Sequence, residues 1–322
     1  MQVSRPTLSP PLVLTLCVGA LAACAMLFMV VGAKGSWSFI LAFRGMKLVA
    51  LLIVAFAIAI STVLFQTVTN NRILTPAIMG FDSLFILVQT ILIFLIGSAG
   101  VSQTDSHLLF FLQAAAMMLF SGLLFRWLFS GAVRSLHLLL LVGILFGGFF
   151  RSLAAFLQRV IDPNEFVVLQ DMLFASFNSV DPGLIATSLA VIAVTSVVVA
   201  FNLDRFDVLL LGRENAINLG VDHRRMVTLA MAIIAILVSV STALVGPVTF
   251  FGLLVANLAY LLVPTYRHAY VIPVAALLAA IILIGGQMVL ERLFSFSTAL
   301  SIIIEFVGGL AFILLLIRGR RK

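Results

Sequence analysis

Charge is what this sequence of 322 residues has least of: Asp, Glu, Lys and Arg together make up 10% of it. Soluble domains carry about 25% charged and about 45–50% apolar residues. Here 63% are apolar and the mean hydropathy is +1.27, so a water-soluble fold is excluded. Cysteine is nearly absent: Cys17 and Cys24 both fall in the first apolar run, which leaves neither a disulfide framework nor a zinc site the partners it needs. No Gly-x-x-x-x-Gly-Lys-[Ser/Thr] loop occurs, so the chain does not hydrolyse nucleotide by that route. Gly-x-Ser-x-Gly and His-Glu-x-x-His are missing too, which removes the usual signatures of an intramembrane hydrolase. Alternation of apolar and polar residues, the mark of a membrane barrel, is also missing. Runs such as 48–65 and 233–245 are apolar on every face and read as helices.

Dividing the apolar content by the roughly 20 residues that one crossing requires gives about ten spans. They are expected at 12–33, 47–65, 76–97, 107–129, 137–158, 184–203, 226–245, 248–263, 269–290 and 299–317, an all-α polytopic bundle forming one transmembrane domain over 1–322. An even count puts both termini on one side. Thirteen of the nineteen Lys and Arg fall on that side and five on the other, so the positive-inside rule makes both termini cytoplasmic. The net charge of +7 is thereby explained by topology, and no nucleic-acid partner is expected. Leu21-Ala22-Ala23-Cys24 looks like a lipoprotein processing site, but cleavage would remove a span and spoil the even count; an uncleaved first span is the reading.

Little lies outside the membrane. Residues 159–183, with Asp162, Glu165, Asp171 and Asp181, read as a solvated acidic loop on the outer side. On the cytoplasmic side, 204–225 contains a short segment bracketed by glycines, Leu211-Gly212 to Leu219-Gly220, suited to a small helix that offers one face to a soluble partner. Gly246-Pro247 and Pro264 bracket about 16 residues, too few for a straight crossing, so span eight is expected to be short or broken. Asn70-Asn71-Arg72 and Thr75-Pro76 mark a structured turn, with Gly80, Asp82 and Ser83 at the mouth of span three. The four histidines, His107, His137, His223 and His268, sit at segment ends, which argues against a buried proton relay. Arg151 and Glu305 lie within spans at similar depth. A pair inside the bundle would spare both charges from hydrocarbon; alternatively, Arg151 faces an outward cavity and attracts an anionic substrate.

Several of these segments, in order, resemble the FecCD-type permeases of ABC importers for ferric siderophores and vitamin B12. Arg44-Gly45-Met46-Lys47 is similar to that family's Arg-x-Pro-Arg. Gln66 with Asn70 to Gly80 is similar to its Gln…Arg-Asn-Pro-Leu-Ala-x-Pro…Leu-Gly turn. Leu211-Gly212 to Leu219-Gly220, including Ala216, matches Leu-Gly-x-x-x-Ala-x-x-Leu-Gly, and Gly246 to Leu253 is similar to Gly-Pro-Ile-x-Phe-Val-Gly-Leu. The resemblance implies a type II importer permease in the bacterial inner membrane. Its partners would be cytoplasmic ATPase subunits holding ATP and Mg²⁺, a second permease and an external binding protein. No cofactor would be held by this chain. It further implies that Leu211, Gly212, Glu214, Ala216, Leu219 and Gly220 contact the ATPase. Arg44, Lys47 and Arg292 would face the binding protein, and Gln66, Asp82, Ser83, Arg151, Asn257 and Glu305 would line the pathway or its gate. Departures at Ala256 to Tyr260, Gln287 and Ser297 to Ser301 look like the subgroup that works beside a different permease chain, which favours a heterodimer. A ferric siderophore, of catecholate type, is the substrate expected from the resemblance. Cobalamin, haem or zinc and manganese carriage, and less so a gradient-driven carrier, are the alternatives.

Overall fold

A computed structural model describes residues 9–32, 36–130, 136–178, 180–294 and 298–319. Of the basic residues used for sidedness, Arg5, Lys34, Arg134, Arg320, Arg321 and Lys322 lie outside these, as does Ser297. Every regular element among the described residues is helical. The long ones are α1 Pro10–Val30, α2 Trp37–Thr69, α3 Phe81–Gln103, α4 Ser106–Ser130 and α5 Leu136–Gln158. A short α6, Pro163–Met172, precedes α7 Pro182–Ala200, and α8 Leu203–Leu209 and α9 Arg213–Asn218 precede α10 His223–Val245. The chain ends with α11 Phe251–Leu262, α12 His268–Arg292 and α13 Leu300–Gly319. Eight of these helices are long and apolar enough to cross a membrane, and α11 and α13 contribute two shorter apolar stretches, so the ten expected segments are all helical. Below, the near face is the one where α1 begins and α2 ends; the far face is its opposite.

The centre is built on α2, against which α10 and α12 both pack, with α7 and α11 also on α2 and α1 on α12. Small residues make this possible: Ala50, Ala55, Ala57 and Ala59 on α2 and Ala275, Ala276, Ala279 and Ala280 on α12 are all buried, letting backbones approach where lipid supplies no hydrophobic drive between helices. At the periphery, α5 leaves Leu141, Ile144, Leu145 and Phe149 exposed, and α13 leaves Ile302, Phe306 and Leu310 exposed.

Two differences from the expected spans have local causes. α2 starts ten residues before the expected position 47 and runs for 33 residues, about 50 Å. Trp37 to Lys47 contains no proline, and its one glycine, Gly45, is tolerated within the helix; the first turns carry the stacked Phe39 and Phe43. The supposed far-side loop contains α6. Asp162 accepts a hydrogen bond from the Asn164 N–H and Pro163 fills the first helical position, a helix start that outweighs the loop composition. α6 also repairs α3. Helical geometry fails at Gly97 (φ +69°, ψ 172°), and Glu165 accepts the Ser98 N–H at 2.5 Å, one of the donors a broken helix leaves unpaired.

Two further breaks shape the interior. After α2, Asn70 turns left-handed (φ 48°) and Pro76–Met79 forms a single 3-10 turn that ends on Gly80 at φ +88°. α5 closes over this turn, so that a Cβ at Gly80 would lie 3.1 Å from the Gly147 Cα and backbone nitrogen. Gly80→Ala is therefore strained in both dihedral and space, the dihedral alone costing about 1–2 kcal/mol, and should lower the thermal midpoint in detergent, whereas Gly122→Ala, where a Cβ would meet nothing, should leave it unmoved. After α10, residues 246–250 leave the helix before α11 begins. The twelve residues of α11 span about 18 Å, short of the about 30 Å of a hydrocarbon core, as the bracketing prolines suggest.

Candidate functional site

On the near face the glycine-bracketed segment forms α8, a turn, and α9. Gly212 at φ +87° and Gly220 at φ +81° close its two ends, conformations that glycine adopts without a Cβ penalty. Ala216 is fully buried against the bundle, while Leu211, Ile217 and Leu219 are more than half exposed and Glu214 is exposed. One small residue faces inward, and three apolar side chains with a carboxylate face outward, away from every other described helix. α8 anchors this element through buried Phe206 and Leu209.

The broken segments meet deeper in the bundle. Asp82, in the first turn of α3, is buried and lines a small cavity of about 40 Å³ with Ser61, Thr62, Thr75, Ser241, Thr242 and Thr249. Gly252 sits so close to Thr62 that an added Cβ would overlap its hydroxyl, which welds α11 to α2. Thr249, Glu305 and Arg151 are the polar neighbours bearing on Asp82, and Asp82 Oδ2 has no hydrogen-bond partner. The guanidinium of Arg151, exposed in the isolated chain, donates to Ser83 Oγ at 3.5 Å. No ion pair joins Arg151 to Glu305 among the described residues. Of the two readings left open for Arg151, the internal pair is not formed; an open charge beside Asp82 and Ser83 is.

Gln66 and Asn257, from α2 and α11, converge on one atom. Both side-chain amides donate to the Arg72 carbonyl, at 2.9 and 3.3 Å, and Asn257 also donates to Leu253 O at 2.8 Å. Arg72 stacks its guanidinium over Tyr260 at 4.4 Å. These contacts fix the turn that follows α2 and wall a near-side cavity of about 290 Å³.

The far-side cations are placed differently from expectation. Lys47 is buried at 7% exposure with Nζ 3.2 Å from Glu291 Oε1 and 4.7 Å above the Phe43 ring; its charge is directed inward, because a lysine carried into the bundle by α2 requires a carboxylate there. Arg44 donates to the carbonyls of Phe28, Met29, Val31 and Gly32, and Arg292 bonds Val31 O. Both guanidiniums thus satisfy the carbonyls left open at the C-terminus of α1. Arg292 remains exposed, and Arg44 is half-buried.

Two features escaped sequence reasoning. Glu291, next to Arg292, gave no local sign of its partner, which lies far away in the chain. His268, expected at an interface, is 2% exposed and bonded on both sides of its ring to Asp207 and Thr67; the nearest signal was only an Asp and a His flanking predicted span ends.

A sequence profile of the FecCD transport family matches residues 11–318. The Bacillus subtilis petrobactin import system permease protein YclO is 47% identical over 309 residues, covering 96% of this chain and 98% of its own length. The Bacillus anthracis petrobactin import system permease protein FatC is 36% identical over 277 residues, covering 86% of this chain and 78% of its own. Among solved structures, an inward-facing metal-chelate type ABC transporter superposes with a TM-score of 0.84 at 22% identity, covering 96% of this chain and 99% of that one; it shares the fold.

Proposed function

This chain belongs to the FecCD transport family, and from that premise we propose that it is the permease subunit of an ABC importer that brings a ferric siderophore into the cytoplasm. The observation that carries this reading is the α8–α9 element: an outward apolar triad, Leu211 before α9, Ile217 within it and Leu219 at its end, around a helix too short to be stable alone. A cytoplasmic ATPase is the occupant proposed for that surface, because the chain holds no nucleotide loop of its own, its histidines lie at segment ends and so offer no mid-span proton relay, and an ABC importer draws its energy from a partner that hydrolyses ATP. The near face is then cytoplasmic, in keeping with the basic residues it carries, and the host membrane is the bacterial inner membrane. A second, different permease would cover the exposed apolar faces of α5 and α13. An external binding protein would dock on the rim near Arg292; exposed charges there would orient docking more than strengthen it.

The YclO and FatC systems import petrobactin by name, which makes ferric petrobactin the first substrate to test, with ferric siderophores of the catecholate type beside it. Uptake by cells that depend on this chain is expected for ferric petrobactin and not for cobalamin, haem, zinc or manganese. Uptake of cobalamin with no uptake of iron would overturn the substrate assignment while leaving the permease reading intact.

A further inference from the structure

A largely buried chain of hydrogen bonds runs from α8 through the start of α12 to the last turns of α2, next to the turn that follows it. Asp207 Oδ1 accepts two N–H groups from His268, the backbone amide at 2.7 Å and ring Nδ1 at 2.5 Å. Arg267, the N-cap of α12, makes no side-chain cap bond, so this carboxylate caps α12 from another element. On the other side of the ring, His268 Nε2 lies 2.7 Å from Thr67 Oγ1, and that hydroxyl lies 2.8 Å from Val63 O. Phe206 of α8 packs against the imidazole, with ring centroids 6.2 Å apart. Next to Thr67 stands Gln66, which holds Arg72 O together with Asn257.

Burial pushes the Asp207 carboxyl up, but its hydrogen bonds from His268 and the nearby positive charge of Arg267 prevail and hold it below the ordinary aspartate value. It is therefore an anion that only accepts, and Nδ1 must donate. Thr67 has a single O–H. If it donates to Val63 O, Nε2 donates to it and the ring is a cation; if it donates to Nε2, the ring is neutral. Both arrangements keep the imidazole bonded at each end, so the link survives protonation and deprotonation alike.

We propose that Asp207, His268 and Thr67 form a rigid latch that carries movement of the α8–α9 element to the 66–72 turn, so that an ATPase cycle is converted into opening and closing of the near-side pathway. The packing of α8 on the bundle through Phe206 and Leu209 is apolar and non-directional; the latch adds a fixed direction as hydrogen bonds do. These are positioning residues, and the idea rests on the importer reading above.

The full complex, with its ATPase, second permease and binding protein, is reconstituted in liposomes, and ATP hydrolysis and ferric petrobactin uptake are read from the same vesicles. Asp207→Asn and the isosteric Thr67→Val should lower uptake per ATP by about tenfold, with hydrolysis changed by no more than about twofold, while Thr67→Ser keeps the native ratio. Thr67→Val decides the matter if Asp207→Asn does not assemble. Uptake and hydrolysis falling in parallel, or an unchanged ratio in Thr67→Val, would overturn the latch. A wild-type complex that neither hydrolyses ATP nor imports overturns the importer reading instead. The latch is then judged by hydrogen exchange on the full chain in detergent. Thr67→Val should speed exchange in both 203–209 and 66–72, and acceleration confined to 66–72 would refute it.

Discussion

Ala216→Arg is expected to abolish siderophore uptake and to release the ATPase, with at least about a hundredfold loss of transport. Ala216 is fully buried where α9 packs against α8 and α10, so a long charged side chain there has to displace the helix. Six residues cannot hold a helix by themselves, so forcing a guanidinium beneath α9 displaces the whole outward face that Leu211, Ile217 and Leu219 compose. The bundle itself should remain in the membrane, because α9 touches only its near-side edge. Glu214→Ala, an exposed change on the same helix, should cost no more than about threefold. Transport assays paired with co-purification of the ATPase check both; full activity in Ala216→Arg would remove α9 from the coupling mechanism.

Glu291→Ala should be the most destabilising single change on the far side. The carboxylate accepts from Lys47 Nζ at 3.2 Å and from Gln287 Nε2 at 2.9 Å, and the two ionic side chains are only 7% and 12% exposed. Removing one member of a buried pair typically costs about 3–5 kcal/mol, because the other charge stays buried, whereas replacing both with apolar groups can be close to neutral. Thermal unfolding in detergent should therefore show a large drop for Glu291→Ala and recovery of most of it in the double variant Lys47→Met, Glu291→Leu. A double variant no better than the single one would mean that the pair is not the source of the loss. For Lys47 to serve the docking role expected of it, this contact would have to break before the ammonium could reach an external carboxylate.

How much could be read in advance follows the range of the forces involved. Apolar runs report their own burial, so the ten helical segments were legible, and so were the features written in local backbone chemistry. Gly212 and Gly220 bracket α9 as their spacing suggests, and Gly246-Pro247 starts the non-helical stretch before α11. α6 was equally local, since Asp162-Pro163 is a helix start, but four carboxylates masked it as a loop. The long-range pairings had no such trace. Lys47 and Glu291 are 244 positions apart, and Asp207 and His268 are 61 apart; only the helix packing brings them together. The contacts of Arg44 and Arg292 with the open carbonyls of α1 had no trace either, since those carbonyls are a property of the fold and not of any motif.

The central claim, that α8–α9 is the seat of a partner ATPase in an importer, is tested most directly by purifying the tagged chain in mild detergent from its native host under iron limitation and identifying by mass spectrometry what comes with it. The account predicts a cytoplasmic ATPase and a second permease in fixed proportion, both lost when residues 212–220 are scrambled. A chain that purifies alone or only with itself, and still transports when reconstituted without ATP, would contradict it.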